Sequence, residues 1–250
     1  MDRVKIALLT TLVLGLFIVI GALIAHVVNK KQKIVDFIVA LAFGIITMLI
    51  VMDLLPEIIE KLTVKNIYLF IIFTFLGAII LKLLDHFIPD HEDKKMTNSE
   101  LKDNLVHIGI VTSIALILHN IIEGMAIYST IITETELGFM ITLGVGLHNI
   151  PLGIVIASTF YQSNQSISKT ILMITLVSMS TFVGGLIMFF LGLSTVNNII
   201  LGILLSITLG MLIFISFNEL LPRIKSSKNK KISLTGIIIG ITLILIASFI

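Results

Sequence analysis

The chain has 250 residues, of which 57% are hydrophobic and only 13% are charged, and it contains no cysteine. An ordinary soluble domain carries about twice this share of charge, so the composition excludes that class, and the missing cysteine excludes disulfides and thiolate metal sites. The formal net charge of +2 gives no indication of a nucleic-acid partner, and we expect none.

The apolar residues form long uninterrupted blocks. Each block approaches or exceeds the roughly 20 residues that a helix needs to cross a bilayer, and helices are required because lipid cannot satisfy backbone amides. We therefore predict an all-α, multi-pass protein of the cell membrane, a single integral domain over residues 1–250 with about eight transmembrane helices. In chain order the predicted spans are Val4–Val28, Ile34–Pro56, Ile67–Phe87, Val106–Ile132, Leu137–Tyr161, Ile171–Leu193, Ile199–Leu221 and Leu234–Ile250.

The connections that follow the odd-numbered spans carry most of the basic residues, whereas the turn between spans four and five, TETE, is acidic. The positive-inside rule places the basic connections in the cytoplasm and both termini outside. The largest of them is a polar cytoplasmic loop at about 88–103. Asp85 lies just before this loop and His91 lies within it. They could help to bind a divalent cation, although a solvated, charge-rich loop is an ordinary alternative.

The sequence HNIIEG in span four returns as HNIPLG in span five. Glu123 follows His119 by four residues, so both side chains lie on one face of a helix, and Asn120 points to the neighbouring face. A carboxylate inside a bilayer costs several kcal/mol unless it has a partner or faces water, which makes it a candidate for function. Neutral imidazole and carboxylate are ligands of zinc, iron or manganese. The alternative is an ion pair that only holds two helices together.

The second motif places His148 and Asn149 before Pro151. Proline has no amide hydrogen and clashes with the carbonyl four residues earlier, which frees the Leu147 carbonyl as a further oxygen ligand and kinks the helix. A lone intramembrane histidine is usually a packing residue, but an echo of a neighbouring motif favours a shared site. The predicted metal ligands are His119, Asn120, Glu123, His148 and Asn149.

Two similar proline motifs lie near opposite ends of spans two and seven, DLLPE and NELLPR. Asp53 and Glu219 lie about one turn inside the membrane in these motifs, where they could serve as the outer and inner relays of a cation pathway. Each could equally be a helix-end residue that meets water. Glu57 is interpreted as an interfacial charge.

These motifs resemble those of the ZIP family of divalent-metal transporters, specifically its bacterial branch. The family's HNxPEG in span four is matched here by HNIIEG except at Ile122, and its HNIPEG in span five by HNIPLG except at Leu152. AFGIITMLIVMDLLPE, LDHFIPDHE and NELLPR resemble the family's patterns in spans two, three and seven. The resemblance implies eight spans, a transport site between spans four and five, ion movement toward the cytoplasm and a rigid-body movement of one helix bundle against another.

The resemblance also implies a site that is often binuclear and is bridged by glutamates from spans four, five and six. Here Leu152 and Phe182 occupy two of those three glutamate positions. One carboxylate with neutral ligands leaves a single dication site at net +1, and a second ion would be repelled by several kcal/mol. We therefore expect one metal rather than two.

The expected cargo is a divalent metal ion, Zn²⁺ first and Fe²⁺, Mn²⁺ or Cd²⁺ as alternatives, and no organic cofactor is expected. The expected partners are the lipid bilayer, metal ions and a second copy in a possible homodimer. Two other functions remain open: an intramembrane zinc metalloenzyme, for which no general base is evident, and a transport-inactive metal-binding relative.

Overall fold

A computed structural model describes residues 2–28, 32–87, 98–163 and 165–248, and all the regular structure in these ranges is helical. In chain order the helices are α1 (Arg3–Val28), α2 (Gln32–Leu49), the π-helical segment π1 (Ile50–Leu54), α3 (Leu55–Lys61), α4 (Ile67–Phe87), α5 (Asn98–Thr133), α6 (Thr135–Gln162), α7 (Ile167–Phe190), α8 (Asn198–Phe214), the π-helical segment π2 (Ile215–Leu220), α9 (Leu221–Ser226) and α10 (Lys230–Ser248).

The prediction of a multi-pass helical protein is confirmed. Within the described ranges, six helices are long and apolar enough to cross a membrane, and Ile67–Leu83 is a shorter apolar helix. α10 covers most of the eighth predicted span. α5 begins at Asn98, so the last residues of the predicted cytoplasmic loop are helical, while residues 88–97 lie outside the described part of the chain.

The two proline motifs fold in the same way. π1 contains Asp53 and precedes α3, in which Pro56 occupies the first turn. π2 contains Glu219 and precedes α9, in which Pro222 occupies the same place. Because proline cannot donate a hydrogen bond to the preceding turn, the helix widens locally, and such π segments are frequent at functional sites.

The helices pack as two bundles. The first bundle comprises α1, α5, α6 and α7, and the second comprises α2 with π1 and α3, α4, α8 with π2 and α9, and α10. Glycines bring the helix backbones together inside each bundle. In the second bundle, an added Cβ on Gly77 would lie 2.0 Å from the Ile207 carbonyl oxygen of α8, and one on Gly44 would lie 2.5 Å from the Ile237 carbonyl oxygen of α10.

In the first bundle, the glycines that end the two repeated motifs also lie where two helix backbones approach closely. A Cβ on Gly124 would lie 1.9 Å from the Thr181 carbonyl oxygen of α7, and a Cβ on Gly153 would lie 2.1 Å from the Ile18 carbonyl oxygen of α1. Small residues allow such close approach in membranes, where packing rather than the hydrophobic effect holds helices together. The repeat thus fixes α5 and α6 against different neighbours.

Polar contacts identify the two ends of the molecule. Arg3 Nη1 donates a hydrogen bond to the Ile132 carbonyl oxygen at 3.0 Å, which places the start of α1 beside the turn between α5 and α6. Asn229 Nδ2 donates to Asp36 Oδ2 at 2.7 Å, which places the start of α10 beside that of α2. We call these the outer and inner ends, following the distribution of basic residues.

Candidate metal site

The first motif places an imidazole and a carboxylate together on α5. His119 Nε2 lies 3.6 Å from Glu123 Oε1, and their side chains are only 6% and 9% exposed. The four-residue spacing stacks the two groups on one face of the helix, as the sequence predicts. A carboxylate so little exposed requires positive charge or hydrogen-bond donors around it.

The second motif contributes a donor to the same carboxylate. Asn149 Nδ2 of α6 donates a hydrogen bond to Glu123 Oε2 at 3.4 Å, and Asn149 is fully buried. One oxygen of Glu123 therefore faces a histidine of its own helix and the other faces an asparagine of the next helix. The two motifs therefore contact each other through Asn149 and Glu123.

The asparagines of both motifs carry buried amide oxygens. Asn120 Nδ2 donates to the Val177 carbonyl oxygen of α7 at 3.1 Å. Within the described ranges, Asn120 Oδ1 and Asn149 Oδ1 are both buried and accept no hydrogen bond. Buried acceptors without donors are costly, and amide oxygens, like carboxylate and imidazole groups, can bind divalent cations.

The fifth predicted ligand, His148, adjoins Asn149 in the backbone of α6, but its side chain lies outside the described part of the structure. In the part that is described, no group of three or more histidine, aspartate or glutamate side chains is arranged to hold a metal ion. The role of His148 as a metal ligand therefore stays a prediction.

A cavity of about 570 Å³ leads from the outer end to this site. Its walls include His119 and Glu123 of the first bundle and Asp53 of the second, so the cavity lies between the bundles. Glu57 and Glu60 also line it. The interpretation of Glu57 as a simple interfacial charge did not anticipate this position, although the spacing of four and then three residues from Asp53 places all three carboxylates on one helix face.

Glu219, the predicted inner relay, lies at the other end of the molecule. Glu219 Oε1 of π2 is 3.9 Å from His107 Nε2 of α5, a histidine that the sequence analysis did not single out. Asp85 falls in the last turns of α4, but its side chain is outside the described residues, as is all of His91. The roles of Asp85 and His91 in a cation pathway stay predictions.

The resemblance to the family places a glutamate at two positions that are apolar in this chain. Leu152 is 1% exposed and belongs to the main apolar cluster of the protein, and Phe182 is half-buried on α7. Pro151 lies inside α6, which continues as one helix to Gln162. The proline therefore does not break the helix, because neighbouring helices support it on both sides of this position.

Comparison with known proteins gives a consistent result. Residues 89–248 match the family described as ZIP Zinc transporter. The chain is 30% identical to a protein named zinc transporter ZupT from Clostridium perfringens, in an alignment that covers 99% of this chain and 96% of that protein. Proteins of the same name from Oceanobacillus iheyensis and Streptococcus mutans are 27% and 30% identical, with 98% and 96% of those proteins covered.

Proposed function

Because the chain belongs to the ZIP zinc transporter family, we propose that it carries a divalent cation, with Zn²⁺ as the first candidate, across the cell membrane toward the cytoplasm. The cation binds between α5 and α6 at His119, Glu123 and His148, with the amide oxygens of Asn120 and Asn149 and water completing its shell. The alternative cargoes are Fe²⁺, Mn²⁺ and Cd²⁺, whose preferences for nitrogen and oxygen ligands overlap with those of zinc.

The position of Glu123 supports this site more than any other observation. Its carboxylate contacts His119 on one side and Asn149 on the other, across two helices, and it lines a cavity that leads to the outer end. A group that only joined two helices would not need access to a cavity of this size. A carboxylate that is buried yet reachable from outside suits a transported ion, which must enter and leave.

The site holds one cation in this proposal. Glu123 supplies a single negative charge, and the described partners of its carboxylate are the Asn149 amide and the His119 imidazole, so one dication leaves the site at net +1. A second ion a few ångströms away would be repelled by several kcal/mol at an effective dielectric near 20. Asp53 and Glu57 belong to the other bundle and give the cavity wall a negative potential, which attracts cations toward the site.

Flux measurements test the site. Proteoliposomes that contain a zinc-sensitive dye should fill with Zn²⁺ when the natural protein is present, and the Glu123→Ala variant should lose at least 90% of the initial rate. Glu134→Ala is the matched control, because Glu134 is an exposed carboxylate in the turn between α5 and α6 and its loss should leave the rate unchanged. A variant at Glu123 that transports at the natural rate would contradict the assignment.

A transport-inactive relative is the competing function, because Leu152 and Phe182 replace two family carboxylates. The Leu152→Glu variant distinguishes a working carrier from a transport-inactive relative. In a working single-metal carrier the natural protein transports by itself, and this substitution lowers the rate by placing a charge inside the apolar cluster. A flux that appears only after Leu152→Glu would show that the natural chain has lost transport.

A further inference from the structure

A polar contact joins the two bundles at the inner end. His107 belongs to α5 of the first bundle and Glu219 to π2 of the second, and His107 Nε2 lies 3.9 Å from Glu219 Oε1. The side chains are 4% and 15% exposed. Polar groups this well buried are retained only where a partner offsets the loss of water, so the two groups stabilise the closed inner end together.

This contact lies on the opposite side of the metal site from the cavity. His107 precedes His119 by twelve residues of one helix, which corresponds to about 18 Å along α5. Between them, Val111 and Ala115 of α5 are fully buried in the apolar cluster that also contains Leu212 of α8. The bundles are therefore separated by a cavity at the outer end and closed by apolar packing and a polar pair at the inner end.

Glu219 also interacts with a cation of its own bundle. The guanidinium of Arg223 in α9 has electrostatic interactions with Glu219 and with Asp36 of α2. Arg223 follows Glu219 by four residues, the spacing at which side chains on one helix face meet. Within this bundle Arg223 places a positive charge near the carboxylate, and across the bundles the carboxylate lies near His107.

We propose that the His107–Glu219 contact is a latch that keeps the inner end closed while the outer cavity is accessible. This inference rests on the proposed function, in which the cation must leave toward the inner end. Departure requires the bundles to separate there, and the contact must then break. A dication that approaches Glu219 carries more charge than an imidazole, so it competes with His107 for the carboxylate and weakens the latch as it arrives.

Thiol labelling tests the latch without any metal transport, and the chain contains no cysteine that would interfere. Ala126→Cys places a thiol in the outer cavity, and Ala115→Cys places one in the apolar packing of the inner half. We expect His107→Gln and Glu219→Gln each to slow labelling of the outer thiol by a membrane-impermeant reagent at least threefold and to speed labelling of the inner thiol by a similar factor.

The opposite direction of the two changes separates a released latch from a loosened fold, which would speed labelling at both positions. The double variant should shift labelling no further than either single variant, because one contact is lost in all three. His26→Gln is the matched control: it alters a histidine at the inner end of α1 whose ring lies 5.2 Å from that of Tyr161, inside one bundle.

Unchanged labelling in both single variants, or the same shift in His26→Gln, would overturn the latch. A shift in labelling of a protein that carries no Zn²⁺ in the flux assay would support the latch and contradict the proposed function. The two proposals therefore fail by different measurements.

Discussion

Asn149 of α6 donates a hydrogen bond to Glu123 of α5 across 3.4 Å. The two copies of the motif thus meet through unlike members, the asparagine of the second and the glutamate of the first. The second copy carries Leu152 where the first carries Glu123. Its contribution to the described contact is a neutral amide, and the single negative charge comes from the first copy.

The contact between Asn149 and Glu123 predicts the effect of adding a negative charge at position 149. Asn149→Asp would put a carboxylate about 3.4 Å from Glu123 and replace a donor by an acceptor, so the metal-free protein should lose thermal stability because like charges repel in a buried site. A bound dication would offset the repulsion between the two carboxylates. We expect Zn²⁺ to raise the melting temperature of the variant more than that of the natural protein, and isothermal titration to approach two ions per chain.

Asn197→Asp is the control for this experiment. Asn197 Oδ1 caps α8 by accepting hydrogen bonds from the Ile199 and Ile200 amides, and an aspartate caps equally well. It should alter neither stability nor metal stoichiometry. One ion per chain in the Asn149→Asp protein, with a melting temperature that Zn²⁺ raises no more than in the natural protein, would contradict the charge-limited site.

The motif glycines predict a stability effect that is separate from metal binding. In Gly124→Ala and Gly153→Ala the new Cβ would lie 1.9 and 2.1 Å from carbonyl oxygens of α7 and α1. Overpacking of this kind costs about 1–3 kcal/mol of stability. Here the new methyl group would clash with backbone atoms, which cannot move away as a flexible side chain can. We expect both variants to unfold at lower temperature in detergent.

Gly109→Ala is the matched control, because the atoms nearest to its Cβ would be side-chain atoms of Phe160 and Thr159, at 3.2 Å or more. A side chain can move by the few tenths of an ångström that are needed. Melting temperatures that fall equally in all three variants would show that the close helix contacts at the motifs carry no special weight.

Glu57 predicts a kinetic effect at the outer cavity. It lines the cavity with Asp53 and Glu60 but makes no part of the proposed ligand set. Glu57→Gln removes one charge from the wall and weakens the attraction of cations, so the apparent KM for Zn²⁺ should rise about two- to fivefold while the maximal rate stays the same. The difference should shrink at high salt, because ions screen exposed charges.

Glu136→Gln provides the comparison, since Glu136 is an exposed carboxylate near the same end that does not line the cavity. It should leave both kinetic constants unchanged. A lower maximal rate with constant KM in Glu57→Gln would indicate that Glu57 acts in a later step than cation capture.

Much of the candidate site follows from the sequence because local spacing is enough to define it. Four residues between His119 and Glu123 fix their common face on any helix, and the echo of the motif predicts that a second helix lies beside it. The π segments before Pro56 and Pro222 were not predicted, although each proline removes one backbone donor and lies in the turn that follows such a segment. The length and composition of the apolar blocks determine the class of protein.

The contacts between helices depended on the tertiary structure. In a soluble helix the apolar stripe shows which face is buried, but here lipid-facing and protein-facing sides are both apolar, so periodicity does not show the rotation of a helix. The place of Glu57 in the cavity and the meeting of His107 with Glu219 depend on that rotation. The sequence alone determines a helical membrane protein whose repeated motifs carry a histidine, a carboxylate and two amides. The close glycine contacts fix the rotation of each helix, and that rotation decides which of these groups face the cavity.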